Sequence, residues 1–147
     1  MEDLSQIARK LSACGLRPSA PRKALLAHLQ ACGTHPTPYE LLDAFKAQGR
    51  PISIATLYQN LQVLSEAGLI RKFVDSEGTS RYDANLGVHH HLHCTSCGRI
   101  LDIEVPEALL GSLSALGQAE GWQVSKVQLD LDGLCNQCQG QETLESA

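Results

Sequence analysis

The nine residues His89-His90-His91-Leu92-His93-Cys94-Thr95-Ser96-Cys97 set the strongest limit on what this chain can fold into, because they gather four imidazoles and two thiols in one short stretch. Cys135-Asn136-Gln137-Cys138 repeats the Cys-x-x-Cys spacing near the far end. Two sulfurs so spaced reach one tetrahedral ion, and two such pairs complete a closed four-thiolate site of the structural zinc type. Zinc held there clamps the start of the intervening segment to its end, so metal binding and folding of that part become one event. The other cysteines, Cys14 and Cys32, stand singly in helix-like segments and read as small buried hydrophobes.

The alternative use of six cysteines, a disulfide framework, belongs to exported miniproteins. Met1-Glu2-Asp3-Leu4 lacks the basic and then apolar run of a leader, and no apolar stretch is long enough to span a bilayer. A cytoplasmic protein with no membrane contact is expected. With 147 residues, 43% of them hydrophobic and 19% charged, the chain suits one ordinary globular domain or two small ones.

The net charge of −4 argues at first against nucleic acid, but its distribution is uneven. Residues 1–83 carry ten Lys/Arg against eight Asp/Glu, whereas residues 84–147 carry two against eight. Phosphate contact is therefore compatible with the first part only.

Within that part, helical spacing predicts a helix over 2–14, stopped by Gly15, and another from about Ala20 to Ala31, entered through Ser19 and Pro21. Thr37 is a fitting N-cap for a third helix, closed by Gly49. In the fourth, Ser53 to Ala67, Ile54, Leu57, Leu61 and Leu64 form one apolar stripe, while Ala55, Gln59 and Gln62 face the other way with Thr56 and Tyr58 on the flanks. Leu69–Val74 and Ser80–Asp83 read as a hairpin around Asp75-Ser76-Glu77-Gly78. Three helices, an amphipathic fourth and a hairpin form the pattern of a winged helix-turn-helix, whose recognition helix enters the DNA major groove.

After the His/Cys stretch, Leu101, Ile103 and Val105 alternate with Asp102 and Glu104, predicting a strand that buries the odd positions. Pro106 opens a helix with Leu109, Leu110, Leu113 and Leu116 on one side, and Trp122 to Leu131 reads as a second strand with a parity shift between Val124 and Val127. Gln139 to Ala147 reads as a frayed tail. A β-α-β unit this small cannot bury its own faces, so two copies are expected to pair as a homodimer. The fold class is thus α+β: a winged-helix DNA-binding domain over 1–83, a hinge over 84–91, and a small α/β dimerisation domain with a four-cysteine zinc site over 92–138.

Once four sulfurs fill one site, the histidines are surplus to it. Alternation in an extended chain puts His89, His91 and His93 on one side and His90 opposite, so His89 and His91 either chelate a second ion or stand exposed and unliganded. Asp83 and Asp102 lie on either side in sequence and could add carboxylate oxygens.

The order winged helix, histidine-rich hinge, Cys-x-x-Cys, β-α-β, Cys-x-x-Cys resembles the ferric uptake regulator (Fur) family of metal-dependent repressors over about residues 5–138. The segment Ser53-Ile54-Ala55-Thr56-Leu57-Tyr58-Gln59-Asn60-Leu61 is similar to that family's recognition helix, with Gln59 where arginine is common. His35-Pro36-Thr37, Ser80-Arg81-Tyr82-Asp83, His89-x-His91 and Cys97-Gly98-Arg99-Ile100-Leu101-Asp102 match its regulatory-site segments. The resemblance implies a regulatory metal on His35, Asp83, His89, His91 and Asp102, in addition to one structural Zn(II) per subunit. Aspartates at the two acidic positions look closer to the peroxide-sensing (PerR-type) branch than to iron-uptake members, which tend to have glutamates. A further family site is missing, since Val88, Leu109 and Val127 stand where ligands are expected.

An N3O2 set without thiolate suits Fe(II) or Mn(II), one per subunit, whereas zinc-sensing relatives tend to place a cysteine in this site. The peroxide-sensing relatives imply that peroxide, acting at Fe(II), oxidises a coordinating histidine, by position His35 or His89. The partner implied is a palindromic double-stranded operator. Arg17, Arg22, Lys23 and Arg71 are the candidates for phosphate contact and Tyr58 and Gln59 for bases, with Thr56 beside them. No catalytic residues are expected: a deaminase needs His-x-Glu ahead of Pro-Cys-x-x-Cys, and neither is present. A zinc- or manganese-uptake regulator of the same family is the nearest alternative. A zinc-thiolate redox protein leaves the winged helix unexplained.

Overall fold

A computed structural model describes residues 2–145 and divides into two compact units, one reaching to Leu86 and the other starting at Gly87. The first contains α1 (Leu4–Ala13), α2 (Ala20–Cys32), α3 (Pro38–Ala47), α4 (Ile54–Glu66), β1 (Arg71–Val74) and β2 (Ser80–Asp83). Its core gathers Ile7 and Leu11 of α1, Leu25, Leu26 and Leu29 of α2, Leu41 and Phe45 of α3, and Leu57, Leu61 and Leu64 of α4, with Ile70 and Tyr82 from the hairpin side. Burying each of these side chains stabilises the unit by roughly 1.5–3 kcal/mol before entropy opposes it. This is the winged helix-turn-helix pattern predicted from spacing.

Local chemistry sets the boundaries. Thr37 and Glu40 form a reciprocal capping box, the Thr37 hydroxyl accepting from Glu40 N–H at 3.2 Å and Glu40 Oε2 accepting from Thr37 N–H at 2.8 Å. Ser53 caps α4 by accepting from Thr56 N–H at 3.1 Å. Ser19 precedes α2 but makes no side-chain cap bond. Gly68 adopts φ +73°, which lets the chain leave α4 and enter β1 without a Cβ clash. The hairpin pairs antiparallel, Arg71 opposite Asp83 and Val74 opposite Ser80. Ile54 departs from the predicted stripe: at the first turn of α4 it is exposed. The lone thiols also depart from expectation, Cys14 being exposed where α1 ends and Cys32 only half-buried where α2 ends.

The second unit contains β3 (His90–Cys94), β4 (Ile100–Ile103), α5 (Glu107–Ala119), β5 (Asp130–Gly133) and α6 (Asn136–Glu145). The sheet order is β4-β3-β5, with β4 antiparallel and β5 parallel to β3. His90 and His91 of the 84–91 stretch therefore lie in the central strand. Leu101, Leu92 and Leu131 align across the three strands, and each is exposed. Leu101 thus departs from the expectation that the odd positions of β4 are buried, while Ile103 is half-buried. Helix α5 likewise buries none of its residues.

The strand predicted over Trp122 to Leu131 shrinks to β5, and 122–129 is irregular. Val124 is instead committed to α5: a Cβ added at Gly117 would collide with Val124 Cγ2. The predicted tail is helical as far as Glu145, as part of α6, while Ser146 and Ala147 lie outside the described residues. Among the described residues no helix is long and apolar enough to cross a membrane.

Candidate metal centres

The first centre is built at the end of β3. Gly98 adopts φ +74° and donates its N–H to the Cys94 carbonyl at 2.9 Å, while Cys94 N–H donates to Arg99 C=O at 2.8 Å, closing the Cys94–Cys97 turn. β5 delivers the second pair, its end tied to the first by Thr95 N–H on Gly133 C=O at 2.9 Å. Cys138 sits in the first turn of α6. All four sulfurs lie within 4.8 Å of one another, Cys97 and Cys135 at 3.9 Å. Sulfurs arranged tetrahedrally at a zinc–sulfur distance of about 2.3 Å are separated by about 3.8 Å. The cradle is close to bonding size, and its all-thiolate chemistry fits Zn(II).

The protons show why such a cluster calls for a cation. The backbone N–H of Cys135, then that of Cys97, draw the Cys94 thiol down to about 6, with Ser96 N–H adding to them against burial. The N–H of Cys138 likewise lowers Cys135. Cys138 is pushed up to about 12: the Ser96 hydroxyl favours its thiolate, but Cys135, burial, Cys94 and Cys97 together outweigh that bond. Four adjacent sulfurs cannot all ionise unless a positive charge lies among them.

In the same unit, the register of the sheet puts Asp102 and Asp130 on either side of His91, and Asp132 beside His93. His91 Nδ1 lies 3.2 Å from Asp130 Oδ1, and its Nε2 is 3.5 Å from Asp102 Oδ1. His89 donates from Nδ1 to Gly87 C=O at 2.8 Å, leaving Nε2 3.8 Å from the same Asp102 oxygen, and the two rings meet edge to face. His90, on the opposite face, accepts from Leu129 N–H through Nδ1 at 3.0 Å, so its proton sits on Nε2. His93 lies 3.2 Å from Asp132. All four imidazoles are buried. Two imidazole nitrogens converging on a carboxylate, both rings oriented by their other nitrogen, make a partial site for a divalent cation.

The first unit holds a smaller set. His35 Nε2 is 3.4 Å from Asp83 Oδ2, both residues buried. Arg81 fixes the loop carrying His35, donating from Nη1 to His35 C=O at 2.9 Å and from Nε to Asp75 Oδ2 at 2.7 Å. Phe73 meets the His35 ring edge-on, and Tyr82 N–H donates to Pro36 C=O.

Sequence reasoning did not find Arg81, Asp130 and Asp132. For Arg81 the signal existed, as a lone cation beside Asp83. For the aspartates it was the His-x-His and Asp-x-Asp spacing, which gains meaning only once β5 is known to lie parallel to β3.

The outer face of α4 exposes Ala55, Tyr58, Gln59 and Gln62, with Thr56 half-buried. Asn60 is buried there: its amide donates to Thr56 C=O at 2.8 Å, and its oxygen accepts from Arg22 Nε at 3.1 Å. Arg22 also donates to Arg17 C=O at 3.2 Å. Arg71 donates to Leu86 C=O at 2.6 Å, and Lys23 is half-buried. Two of the four predicted phosphate-contacting cations thus have partners inside the fold.

Residues 13–132 match the model of the Ferric uptake regulator family. A peroxide-responsive repressor PerR of Staphylococcus aureus (strain Mu50 / ATCC 700699) is 31% identical over 138 residues, covering 93% of this chain and 92% of that protein. Among solved structures, the ferric uptake regulator of Vibrio cholerae aligns with a TM-score of 0.77 at 25% identity, over 87% of this chain and 98% of its own. The Helicobacter pylori ferric uptake regulator, described as having three functional metal binding sites, aligns at 0.79 and 23% identity, over 94% and 95%.

Proposed function

This chain belongs to the ferric uptake regulator family, and from that premise we propose that it is a homodimeric repressor whose regulatory metal is held by His35, Asp83, His89, His91 and Asp102. A metal-responsive regulator of transcription, not an enzyme, is what membership implies. The observation that carries the finer reading is the pairing of buried imidazoles with carboxylates in each unit, His35 with Asp83 and His89 and His91 with Asp102. Nitrogen and oxygen donors without thiolate suit Fe(II) or Mn(II), while Cys94, Cys97, Cys135 and Cys138 suit the structural Zn(II).

When bound, the regulatory ion supplies positive charge that ligands from both units share. His35 and Asp83 hold it from the DNA-binding unit and His89, His91 and Asp102 from the other, so the domain arrangement competent for DNA is favoured by ligation. Operator DNA then tightens metal binding by the same factor. The exposed row of Leu92, Leu101 and Leu131 and the unburied α5 support a second copy as the cover for this unit. A two-fold dimer presents two α4 helices, with Tyr58 and Gln59 toward bases and Thr56 beside them, to a palindromic operator in the cytoplasm. Arg17 and Lys23 contact phosphate, and Arg22 and Arg71 contribute from their bonded positions.

Gel-shift binding to the chain's own promoter with Mn(II), Fe(II), Zn(II) or no metal tests this. Binding with Mn(II) or Fe(II) and none without metal is expected. Strongest response to Zn(II) at buffered free-metal levels would make it a zinc-uptake regulator instead. Peroxide added to the Fe(II) form should release DNA and add one oxygen to the peptide of His35 or His89, with neither effect in Mn(II). An unmodified chain that stays bound would remove peroxide from the reading.

A further inference from the structure

We propose that Asp130 is a positioning residue for the regulatory metal, holding His91 in the tautomer and ring orientation that present Nε2 to the ion. The inference rests on the assignment of His91 as a ligand and extends it to a residue outside the ligand set. The two aspartates beside His91 occupy different positions around its ring. Asp102, from the antiparallel neighbour β4, lies 3.5 Å from Nε2; Asp130, from the parallel neighbour β5, lies 3.2 Å from Nδ1. Only one neutral tautomer has Nδ1–H donate to Asp130 while Nε2 keeps its lone pair, and it is the tautomer a metal needs.

The comparison with the neighbouring histidines sharpens this. His89 is oriented the same way by a backbone carbonyl, Gly87 C=O at 2.8 Å from its Nδ1. His90 receives the opposite instruction, since Leu129 N–H donates to its Nδ1 and the Nε2 lone pair is given up to a proton. His91 is thus a proposed ligand whose Nδ1 meets a side chain that substitution can remove. The His93–Asp132 pair repeats the geometry two residues further along, at 3.2 Å, without belonging to the ligand set. It is a built-in control.

The test uses the zinc-loaded full-length protein and Mn(II) as the probe, with free Mn(II) counted by electron paramagnetic resonance during titration and zinc content measured in parallel. Asp130→Ala should weaken Mn(II) binding by about 10–100-fold while zinc stays at one per chain. Asp130→Asn, isosteric but uncharged, should fall toward the low end of that loss, and Asp132→Ala should leave affinity unchanged. The Co(II)-substituted regulatory site should change its visible spectrum in Asp130→Ala and keep it in Asp132→Ala, a response that general loosening of the sheet would not separate. If Asp130→Ala binds Mn(II) as the parent does while His91→Ala loses it, Asp130 does not position the ligand. If His91→Ala also binds normally, the ligand assignment itself falls. Should Asp130→Ala lose zinc as well, Asp130→Asn decides: parental Mn(II) affinity with zinc intact overturns the proposal.

Discussion

Asp75 closes the tip of the β1–β2 hairpin by accepting from the N–H groups of Glu77 at 3.0 Å and Thr79 at 2.9 Å, with Arg81 on its other oxygen. Burial would raise its pKa, but the Arg81 bond and the two N–H donors prevail and hold it below the ordinary 3.8. A carboxyl depressed in the folded state stabilises that state fully above its unfolded pKa and loses the contribution as pH falls through the folded value. Asp75→Asn should therefore cost about 1–3 kcal/mol in urea unfolding at pH 7. The difference from the parent should shrink below about pH 4, and a difference independent of pH would refute the ion pair as its source. Arg81 also holds His35 C=O, so the same variant should loosen the loop carrying a proposed ligand. The cysteines give the second residue-scale prediction: Cys97→Ser removes one of four thiolates, so the second unit should lose zinc and cooperative melting while α1–α4 retain theirs. Retained zinc at the parental level would show that Cys97 is not a ligand.

At the scale of elements, α5 and the 122–129 segment meet closely at Gly117 and Val124 in the second unit. Gly117→Ala drives a methyl into Val124, and overpacking of that kind costs about 1–3 kcal/mol; an unchanged melting temperature would mean the segment moves aside freely. Helix α4 has the opposite character, with Ala55, Tyr58, Gln59 and Gln62 exposed on its outer face. Reversing Lys23 on α2 should weaken operator binding and reduce the slope of log affinity against log salt by about one, and an unchanged slope would remove it from the interface. The helices of the first unit were legible because caps and apolar spacing act within a few residues: Thr37, Ser53 and Gly68 do locally what their types predict. The strand expected over Trp122 to Leu131 was misread because apolar alternation does not reveal whether a neighbouring strand exists. Only 130–133 pairs in register with β3 as a strand.

For the whole molecule, the reciprocity of linkage gives a prediction beyond any single site. Saturating operator DNA should tighten Mn(II) binding by the same factor by which Mn(II) tightens DNA binding, measurable by metal titration with and without the duplex. Unequal factors would mean that metal acts on another equilibrium, dimerisation being the first to examine by sedimentation. The sequence by itself pointed to the winged helix and the four-sulfur centre, because periodicity, capping and Cys-x-x-Cys spacing are local properties, and by family resemblance to His35, Asp83, His89, His91 and Asp102 as candidate ligands. Only the tertiary structure decided which nitrogen each histidine offers. At His90 and His91 that depends on what the sheet brings beside the ring, an amide and a carboxylate, whereas His89 meets a carbonyl two residues away. The partners of His90 and His91 lie 39 residues away, so strand register, which local spacing does not encode, assigns them.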